Sequence, residues 1–327
     1  MVACLLRQRL LAIPFVLCVL VGANVAMAGD YERVVAFGDS LSDPGNAFVL
    51  TMNVSLPPFQ LIPDAPYARG GMHFSNGKTW VEQLAAELGV RRSAGPALRK
   101  PLEFSNYAVG GARARPEGPF DLGTQVDLFL RDFAGSAPAD ALYVVYAGSN
   151  DVRDALSALA TDPSGATSFA ILQGALAAVR EDLLKLQAAG ARHFLVPNAP
   201  DLALVPAVQL QGAAAQGAAR WLAVSYNASL SDLLAQLDGQ NGVTITRLDI
   251  FSLLDAVVAA PASFGLSNVD QPCIVPGTTV HPYCANPDQY LFWDGIHPTR
   301  VGHGIIAERA ETALGVEAPS AALALAP

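Results

Sequence analysis

An aspartate and a histidine near the C-terminus have the spacing of a proton-relay pair. Asp294 and His297 are three residues apart, and Gly295 between them permits a tight turn. The carboxylate can then hydrogen-bond one ring nitrogen of the histidine and leave the other nitrogen facing a serine hydroxyl. The alternative is a metal site, but no further ligand cluster accompanies the pair, because the other four histidines are scattered. The pattern therefore predicts general-base chemistry, with no metal and no cofactor.

A serine that follows the first apolar segment is the candidate nucleophile. Ser40 occupies the sequence F-G-D-S-L-S-D, which predicts a sharp turn from a strand into a helix. A serine in such a turn lies beside free backbone N–H groups, as an acyl-transfer nucleophile requires. The sequence is not the G-x-S-x-G elbow, and taken alone it fits a turn or a helix cap equally well. Asp39 and Asp43 flank the serine, and we interpret them as loop-organising residues rather than as the triad acid.

Two further segments carry groups that can stabilise a negatively charged oxygen. Gly110 follows a predicted strand, and a glycine N–H can approach an oxyanion closely and donate to it. Asn150 follows another predicted strand, and its side-chain amide would point into the same cleft. The alternatives are that Gly110 and Gly111 only form a turn, and that Asn150 or Asp151 caps a helix.

Short apolar segments alternate with longer helical patterns along the chain. The predicted strands are residues 34–37, 104–108, 142–147, 193–197 and 243–248, and the predicted helices are residues 79–88, 124–133, 168–188 and 209–237. A further helix is predicted to have Pro298 in its first turn and to continue to Glu308. Strands separated by helices predict an α/β fold with a parallel sheet covered on both faces. The loops beyond the carboxyl ends of such strands meet at one edge, where reactive groups gather.

Residues 1–28 have the features of a cleaved signal peptide. Arg7 and Arg9 precede an apolar stretch over residues 10–21 and the small-residue sequence Ala26-Met27-Ala28. The alternative is a membrane anchor, which the proline at position 14 and the small residues disfavour. We therefore predict an exported protein, periplasmic or secreted. It would have one domain over residues 29–315 and a disordered tail over residues 316–327.

Composition and charge argue against several classes of function. The chain has 327 residues, of which 52% are hydrophobic and 15% charged, and these values disfavour a disordered or nucleic-acid-binding protein. The formal net charge is −9, and removal of the two leader arginines makes it −11. An acidic surface does not attract nucleic acid or anionic lipid. We therefore predict no nucleic-acid partner and a neutral or zwitterionic substrate.

Two cysteines follow the leader. Cys273 and Cys284 form an even, closely spaced pair, which in an exported protein predicts one disulfide. It would close a loop of about 12 residues and contribute ~2–3 kcal/mol in the chain-entropy description. Two free thiols are the alternative, which an oxidising compartment disfavours.

Taken in order, these segments resemble the four sequence blocks of the SGNH/GDSL hydrolase family. The family's Ser, Gly, Asn and His fall on Ser40, Gly110, Asn150 and His297, and its acid falls on Asp294. The resemblance covers about residues 33–313 and includes the sequence F-S-N-G-K-T-W at positions 74–80. It implies a flavodoxin-like three-layer α/β/α fold. It also implies a carboxylic ester hydrolase similar to secreted bacterial lipases, phospholipases and acyltransferases.

The same resemblance implies a role for each residue of the site. Ser40 would be the nucleophile, His297 the general base and Asp294 the group that orients the imidazole. The backbone N–H groups of Ser40 and Gly110 and the side-chain amide of Asn150 would form the oxyanion hole. The partner would be a small-molecule or lipid ester.

Two proline-containing segments, residues 51–72 and 262–289, should decide which ester is bound. The first segment and the residues just before it are apolar at Phe48, Leu50, Met52, Leu56 and Phe59. An apolar lining favours lipid or long-chain esters and transient contact with lipid surfaces. One alternative is a carbohydrate O-acetylesterase with a shallow polar cleft. The other is a non-catalytic surface-binding module, which would lack a triad member, and none is missing here.

Overall fold

A parallel sheet of four strands forms the centre of the structure. The computed structural model describes residues 31–50, 72–274 and 283–316. The strands are β1 (Arg33–Gly38), β2 (Ala141–Tyr146), β3 (His193–Pro197) and β4 (Thr244–Leu248), and they lie side by side in that order. Every neighbouring pair is parallel. All six residues of β2 are buried, as expected for a strand with helices on both faces.

The segment predicted as a strand over residues 104–108 lies beside β1 but is not a regular strand. It pairs with β1 through a single parallel bridge between Asn106 and Ala36. The Ala36 N–H donates to the Ser105 carbonyl over 3.0 Å, and the Tyr107 N–H donates to the Ala36 carbonyl over 2.7 Å. Loop and side-chain groups occupy the outer edge of the segment instead of another strand. With this segment, the spatial order matches the predicted flavodoxin-like sheet.

Helices cover both faces of the sheet, so the predicted three-layer α/β/α fold is confirmed. They are α1 (Asn46–Leu50), α2 (Trp80–Glu87), α3 (Leu122–Asp132), α4 (Ser149–Ala158), α5 (Ala166–Ala189), α6 (Pro206–Gln209), α7 (Ala213–Leu237), α8 (Ile250–Ala259) and α9 (Arg300–Leu314). Helices α2 and α9 pack against each other, whereas α3, α4, α5 and α7 form a second connected group.

Two helical predictions differ from the structure, and two helices were not predicted. The helix predicted over residues 209–237 is divided into α6 and α7, because Gly212 has a φ of 88° and interrupts the helical backbone. Pro298 is not in the first turn of α9, because the helix begins at Arg300 and Thr299 is its N-cap. The Thr299 side chain accepts the N–H of Gly302, which is the usual N-cap bond. Helices α4 and α8 were not predicted.

A small second sheet holds the segment that leads to Asp294. It consists of β5 (Asn268–Pro272) and β6 (Tyr290–Phe292). Cys273 follows β5, and its sulfur lies 2.06 Å from that of Cys284, so the predicted pair has disulfide geometry. The Cys273 N–H donates to the Phe292 carbonyl over 3.0 Å, and the Ile274 N–H donates to the Trp293 carbonyl over 2.8 Å. The cysteine pair therefore lies directly against the chain that carries Asp294.

Several predictions fall outside the described residues. These are the signal peptide over residues 1–28, the tail from residue 317 onward, and most of the apolar segment, including Met52, Leu56 and Phe59. Part of the second substrate-determining segment, residues 275–282, is also outside. Among the helices that are described, none combines the length and the hydrophobicity that crossing a bilayer would need.

The turn after β1 is organised around the buried carboxylate of Asp43. Its Oδ1 accepts the N–H groups of Gly45 and Asn46 over 2.7 and 2.6 Å. Its Oδ2 accepts the N–H groups of Ala47 and Gly110 over 3.1 and 2.8 Å. Burial raises the pKa of Asp43 to about 6, although these four hydrogen bonds favour the charged form. One carboxylate thus ties the start of α1 to a turn more than 60 residues away.

Two buried asparagines reinforce this connection. Asn46 Nδ2 donates to the carbonyls of Asn106 and Ala108 over 2.8 and 2.9 Å, and its Oδ1 accepts the Leu98 N–H over 3.1 Å. Asn106 Nδ2 donates to the Ser42 carbonyl over 2.8 Å. Because these side chains bond backbone groups of separate loops, the two asparagines connect the loops around Ser42.

We expect Asp43→Asn to destabilise the protein. An amide NH₂ would replace one carboxylate oxygen and face two N–H groups, and each buried N–H left without an acceptor costs about 1–3 kcal/mol. Urea unfolding at about pH 8, where the carboxylate is charged, measures the loss. Asp232→Asn, on the exposed side of α7, is the control and should be neutral. An Asp43→Asn protein as stable as wild type would contradict this account.

Candidate active site

Ser40, His297 and Asp294 form a continuous chain of hydrogen bonds. His297 Nε2 lies 2.8 Å from Ser40 Oγ, and His297 Nδ1 lies 2.6 Å from Asp294 Oδ2. Ser40 is in the turn after β1, whereas the other two lie between β6 and α9. All three residues are buried. In this geometry the imidazole can take the serine proton while the carboxylate stabilises the resulting charge.

The carboxylate of Asp294 also shapes the turn that carries His297. Its Oδ1 accepts the N–H groups of Ile296 and His297, both over 2.8 Å. Glycine at position 295 was predicted to permit a tight turn, but its φ is not positive, so glycine is required there for another reason. A Cβ on Gly295 would lie 3.3 Å from the Cβ of Ala207, and the Gly295 carbonyl accepts the Ala207 N–H over 2.9 Å. Gly295 is therefore a site of close packing against α6.

The turn that carries Ser40 is fixed on both sides. Asp39 Oδ1 accepts the Leu41 N–H over 3.0 Å. The Gln125 side-chain amide bonds both the N–H and the carbonyl of Gly38, each over 2.8 Å. Gly38 has a φ of 153°, and a Cβ there would lie 2.2 Å from the Tyr146 carbonyl oxygen in β2. Only glycine fits where the chain leaves β1, and this close approach to β2 fixes the backbone two residues before Ser40.

Asp39 is a buried carboxylate next to the serine. Burial raises its pKa to about 6, and this effect is opposed by the Leu41 N–H and by positive charge at His297 and Arg153. Its hydrogen bond to Leu41 agrees with the interpretation of Asp39 as a loop-organising residue.

The predicted oxyanion donor Gly110 has its N–H already engaged. This N–H donates to Asp43 Oδ2 over 2.8 Å. The residue must nevertheless be glycine, because a Cβ there would lie 2.2 Å from the ring of Phe74. The Phe74 ring in turn lies 5.2 Å from the ring of His297. In this structure the hydrogen bond of Gly110 serves the Asp43 network and its lack of a side chain admits Phe74, while its role as an oxyanion donor stays a prediction.

The next glycine is better situated to donate. The N–H of Gly111 has no acceptor in the described part of the chain, and Gly111 lines the same cavity as Ser40. Its φ of 83° is in the region that favours glycine, and a Cβ there would meet open space. The Ser40 N–H is likewise without an acceptor among the described residues.

Asn150 lies beside Ser40 in the first turn of α4. The N-cap of this helix is Gly148, so the alternative that Asn150 or Asp151 caps the helix is wrong. Asn150 Nδ2 donates to the Ala112 carbonyl over 2.8 Å and to Asp39 Oδ2 over 3.4 Å. The second bond is long for N–H···O, so this hydrogen can turn to a stronger acceptor. Its position agrees with the predicted location in the cleft.

Asp151 has a structural task. It is fully buried and accepts the Ala114 N–H over 2.8 Å and the Arg115 guanidinium over 2.7 Å. These bonds fix the loop that follows the glycine pair against α4.

Two of the other histidines are buried near His297. His73 Nε2 lies 2.7 Å from Glu82 Oε2. Burial, together with the charges of His297 and His73, lowers the pKa of His303 to about 3. His303 is therefore neutral near pH 7 and fits the predicted role of a packing residue. In the described part of the chain, no group of acidic, histidine or cysteine side chains could hold a metal ion.

An apolar cavity opens beside Ser40 and His297. One wall is a stripe on α8, and further side chains come from α9 and from the segment after β3: Leu202, Val205, Ile250, Leu253, Leu254, Val257, Ile305 and Ile306. This wall was not predicted from the sequence, although the stripe on α8 has the i, i+3, i+4, i+7 spacing of an amphipathic helix.

Comparison with known proteins identifies the family. The family model described as GDSL-like Lipase/Acylhydrolase matches residues 34–310. Thermolabile hemolysin of Vibrio parahaemolyticus is 28% identical over 88% of this chain, and the alignment spans 65% of that protein, which is less than two thirds. The GDSL esterase/lipase EXL2 of Arabidopsis thaliana is 27% identical, covering 84% of this chain and 86% of the relative.

Two further similarities extend this picture. A protein named inactive GDSL esterase/lipase-like protein 25, also from Arabidopsis thaliana, is 25% identical over 83% of this chain and 70% of its own length. Among solved structures, the acetylxylan esterase Axe2 of Geobacillus stearothermophilus is 15% identical, with a TM-score of 0.46, covering 89% of this chain and 97% of that one. The family match spans most of the described fold and all the residues of the hydrogen-bonded site. The chain therefore belongs to the GDSL-like lipase/acylhydrolase family and is a carboxylic ester hydrolase.

Proposed function

We propose that this protein hydrolyses esters of apolar acyl chains through a triad of Ser40, His297 and Asp294. The observation that carries the proposal is the chain of hydrogen bonds, 2.8 and 2.6 Å long, beside an apolar cavity. A nucleophile, a base and an orienting acid are thus in contact before substrate binds.

The first step transfers the acyl group to the serine. Ser40 Oγ attacks the ester carbonyl carbon while His297 Nε2 takes its proton. Asp294 keeps the Nδ1 hydrogen of the imidazole directed at its own Oδ2 and stabilises the imidazolium. The imidazolium then gives its proton to the leaving alkoxide, and an acyl-serine is left.

The second step releases the acyl group. Water, or an acceptor alcohol, loses a proton to His297 as it attacks the acyl-serine. Collapse of the second tetrahedral intermediate returns that proton to Ser40 Oγ and frees a carboxylic acid or a new ester. Phospholipase and acyltransferase activities use this same site and differ in the alcohol that leaves or enters.

Three donors are proposed for the oxyanion of both intermediates. They are the N–H groups of Ser40 and Gly111 and the Nδ2 of Asn150. The support for Gly111 in place of Gly110 is that the Gly110 N–H is bonded to Asp43, whereas that of Gly111 has no acceptor among the described residues. Donors held in this way stabilise charge that develops only in the transition state.

The apolar cavity supports an acyl chain rather than an acetyl group. Most of its side chains are aliphatic, and its polar side chains lie around Ser40 and His297. Burial of a methylene there contributes about 0.8 kcal/mol, so binding should strengthen as the acyl chain lengthens. An acetyl group would leave most of this surface unused. We therefore propose a lipase-like or long-chain esterase activity, with contact with lipid surfaces.

We also propose that the protein is exported. The support is the leader-like sequence of residues 1–28 together with the paired Cys273 and Cys284, because disulfides persist in oxidising compartments.

Ser40→Ala should lower kcat/KM for p-nitrophenyl esters by about ten-thousandfold or more, because the nucleophile is lost. Hydrolysis should be measured from acetyl to palmitoyl, together with labelling by a serine-directed phosphonate. The matched control is Ser229→Ala, which removes an exposed hydroxyl on α7 and should behave as wild type. An active Ser40→Ala protein of verified purity would sink the mechanism. Absence of turnover in wild type on every ester would instead favour a non-catalytic binding module.

Asn150→Ala should lower kcat by roughly 100- to 1000-fold with a small change in KM, because one oxyanion donor is worth ~2.7–4 kcal/mol of barrier. Steady-state kinetics on the preferred p-nitrophenyl ester measures both constants. Circular dichroism must show a folded protein, since the bond to the Ala112 carbonyl is lost as well. A kcat within threefold of wild type would remove Asn150 from the oxyanion hole.

Leu254→Trp should shift the acyl preference toward short chains, because the indole would fill part of the apolar cavity. We expect kcat/KM for palmitoyl relative to acetyl ester to fall by about tenfold. Ala256→Trp, on the exposed side of the same helix, is the control and should keep the wild-type profile. A wild-type preference for acetyl alone would support the carbohydrate O-acetylesterase instead. An unchanged profile in Leu254→Trp would show that the acyl chain lies elsewhere.

A further inference from the structure

Two cavities meet at Ser40. The apolar cavity and a second cavity both open beside this serine. The described residues that line both are Ser40, Asn150, Arg153, Ile296 and His297. The carbonyl of a bound ester must lie beside the nucleophile, so an acyl chain in the apolar cavity directs the alcohol part toward the second cavity. The second cavity therefore contacts the alcohol part.

Two charged side chains of the second cavity already have partners. Arg113 Nε donates to Asp154 over 2.9 Å, and Arg113 Nη1 donates to the Gly111 carbonyl over 2.7 Å. Asp121 accepts the N–H groups of Arg113 and Glu117 over 2.7 and 2.6 Å. These two groups hold the cavity wall together and are not available to a substrate.

Arg153 is the charged side chain that differs. It is half-buried, and its guanidinium makes no ion pair or hydrogen bond with any residue that the structure describes. Its charge acts through space on the buried carboxylate of Asp39. Arg153 follows Asn150 by three residues in α4, so the two side chains share a helix face. A partly desolvated guanidinium with unused donors favours an anion, which it can bind through two parallel hydrogen bonds.

We propose, on the basis of the function proposed above, that Arg153 binds an anionic oxygen group on the alcohol part of the substrate. The group is a phosphate or a carboxylate, located close to the scissile ester. Arg153 is then a positioning residue, which orients the alcohol while the triad acts on the ester. The acidic net charge of −9 does not oppose this local contact, because charges more than a Debye length away are screened. A zwitterionic ester that carries a phosphate is compatible both with the acidic net charge of the protein and with an anion site at Arg153.

The test compares three octanoyl esters that differ in the alcohol. These are 1-octanoylglycerol 3-phosphate, octanoyl glycolate and the neutral 1-octanoylglycerol. We expect wild type to favour an anionic ester over the neutral one by about tenfold or more in kcat/KM, mainly through KM. Arg153→Gln should reduce this ratio to near one, and Arg153→Lys should restore part of it. Arg180→Gln removes an exposed arginine of α5 and should keep the wild-type ratio.

The two anions identify which chemistry Arg153 recognises. Preference for the phosphate alone assigns a phosphate-bearing alcohol, and preference for both assigns a general anion site. Equal kcat/KM for all three esters in wild type would overturn the proposal. A loss that is the same for all three esters in Arg153→Gln would also overturn it, because it would indicate a structural role.

A binding measurement separates this proposal from the proposed function. Calorimetry with octyl phosphate and with 1-octanol on the Ser40→Ala protein needs no turnover. Tighter binding of octyl phosphate, lost in Ser40→Ala/Arg153→Gln, would support the anion site even if no ester were hydrolysed. Equal binding of the two ligands would refute the anion site while leaving ester hydrolysis to its own tests.

Discussion

A buried carboxylate, that of Asp43, joins the two turns between which the serine is held. Its four backbone hydrogen bonds connect the start of α1 with the glycine turn after the segment beside β1. Burial alone would favour the neutral acid, and the four N–H groups oppose that tendency. Because Ser40 lies between β1 and Asp43, its position depends on this carboxylate. The position of the Phe74 ring beside His297 depends on the same turn, since only glycine at position 110 leaves room for this ring.

Asp294 uses the same principle on the other side of the cleft. One oxygen accepts two backbone N–H groups of its own turn, and the other oxygen accepts the imidazole. The turn is held in addition by the chain after β5, where Cys273 and Ile274 donate to residues that precede Asp294. A carboxylate that bonds the histidine and also fixes its own local backbone cannot move independently of that histidine. The line from acid to base to serine is therefore set before any substrate arrives.

The two cavities follow from this arrangement. One wall of the apolar cavity is α8, which follows the last strand of the sheet, and the second cavity is walled by the loop that Asp151 and Arg115 brace. Helix α4 begins between them and presents Asn150 and Arg153 on one face. Under the proposed function, the scissile ester, the acyl chain and the alcohol would lie in three environments: polar, apolar and charged. Such a separation would allow one site to recognise both ends of an ester.

Much of the fold and the site followed from the sequence by itself. Strands β1 to β4 were predicted to within one residue, because β1, β2 and β3 are short runs of mostly buried apolar side chains and β4 buries Ile245 and Leu248. Ser40, Asn150, Asp294 and His297 were found from local spacing, since a turn after a strand and a D-x-x-H pair are each contained in a few consecutive residues.

Tertiary contacts decided the rest. The acceptor of the Gly110 N–H is 67 residues away in sequence. The wall of the apolar cavity comes from α8, which follows β4, from α9, which follows the small second sheet, and from the segment after β3. The segment over residues 104–108 has a strand-like composition, yet the Asn46 side chain, rather than another strand, bonds the carbonyls of Asn106 and Ala108 on its outer edge. Which donors are free and which arginine is unpaired depend on distances between such remote groups. Local pattern carries no information about those distances, because they are set only when the layers pack together.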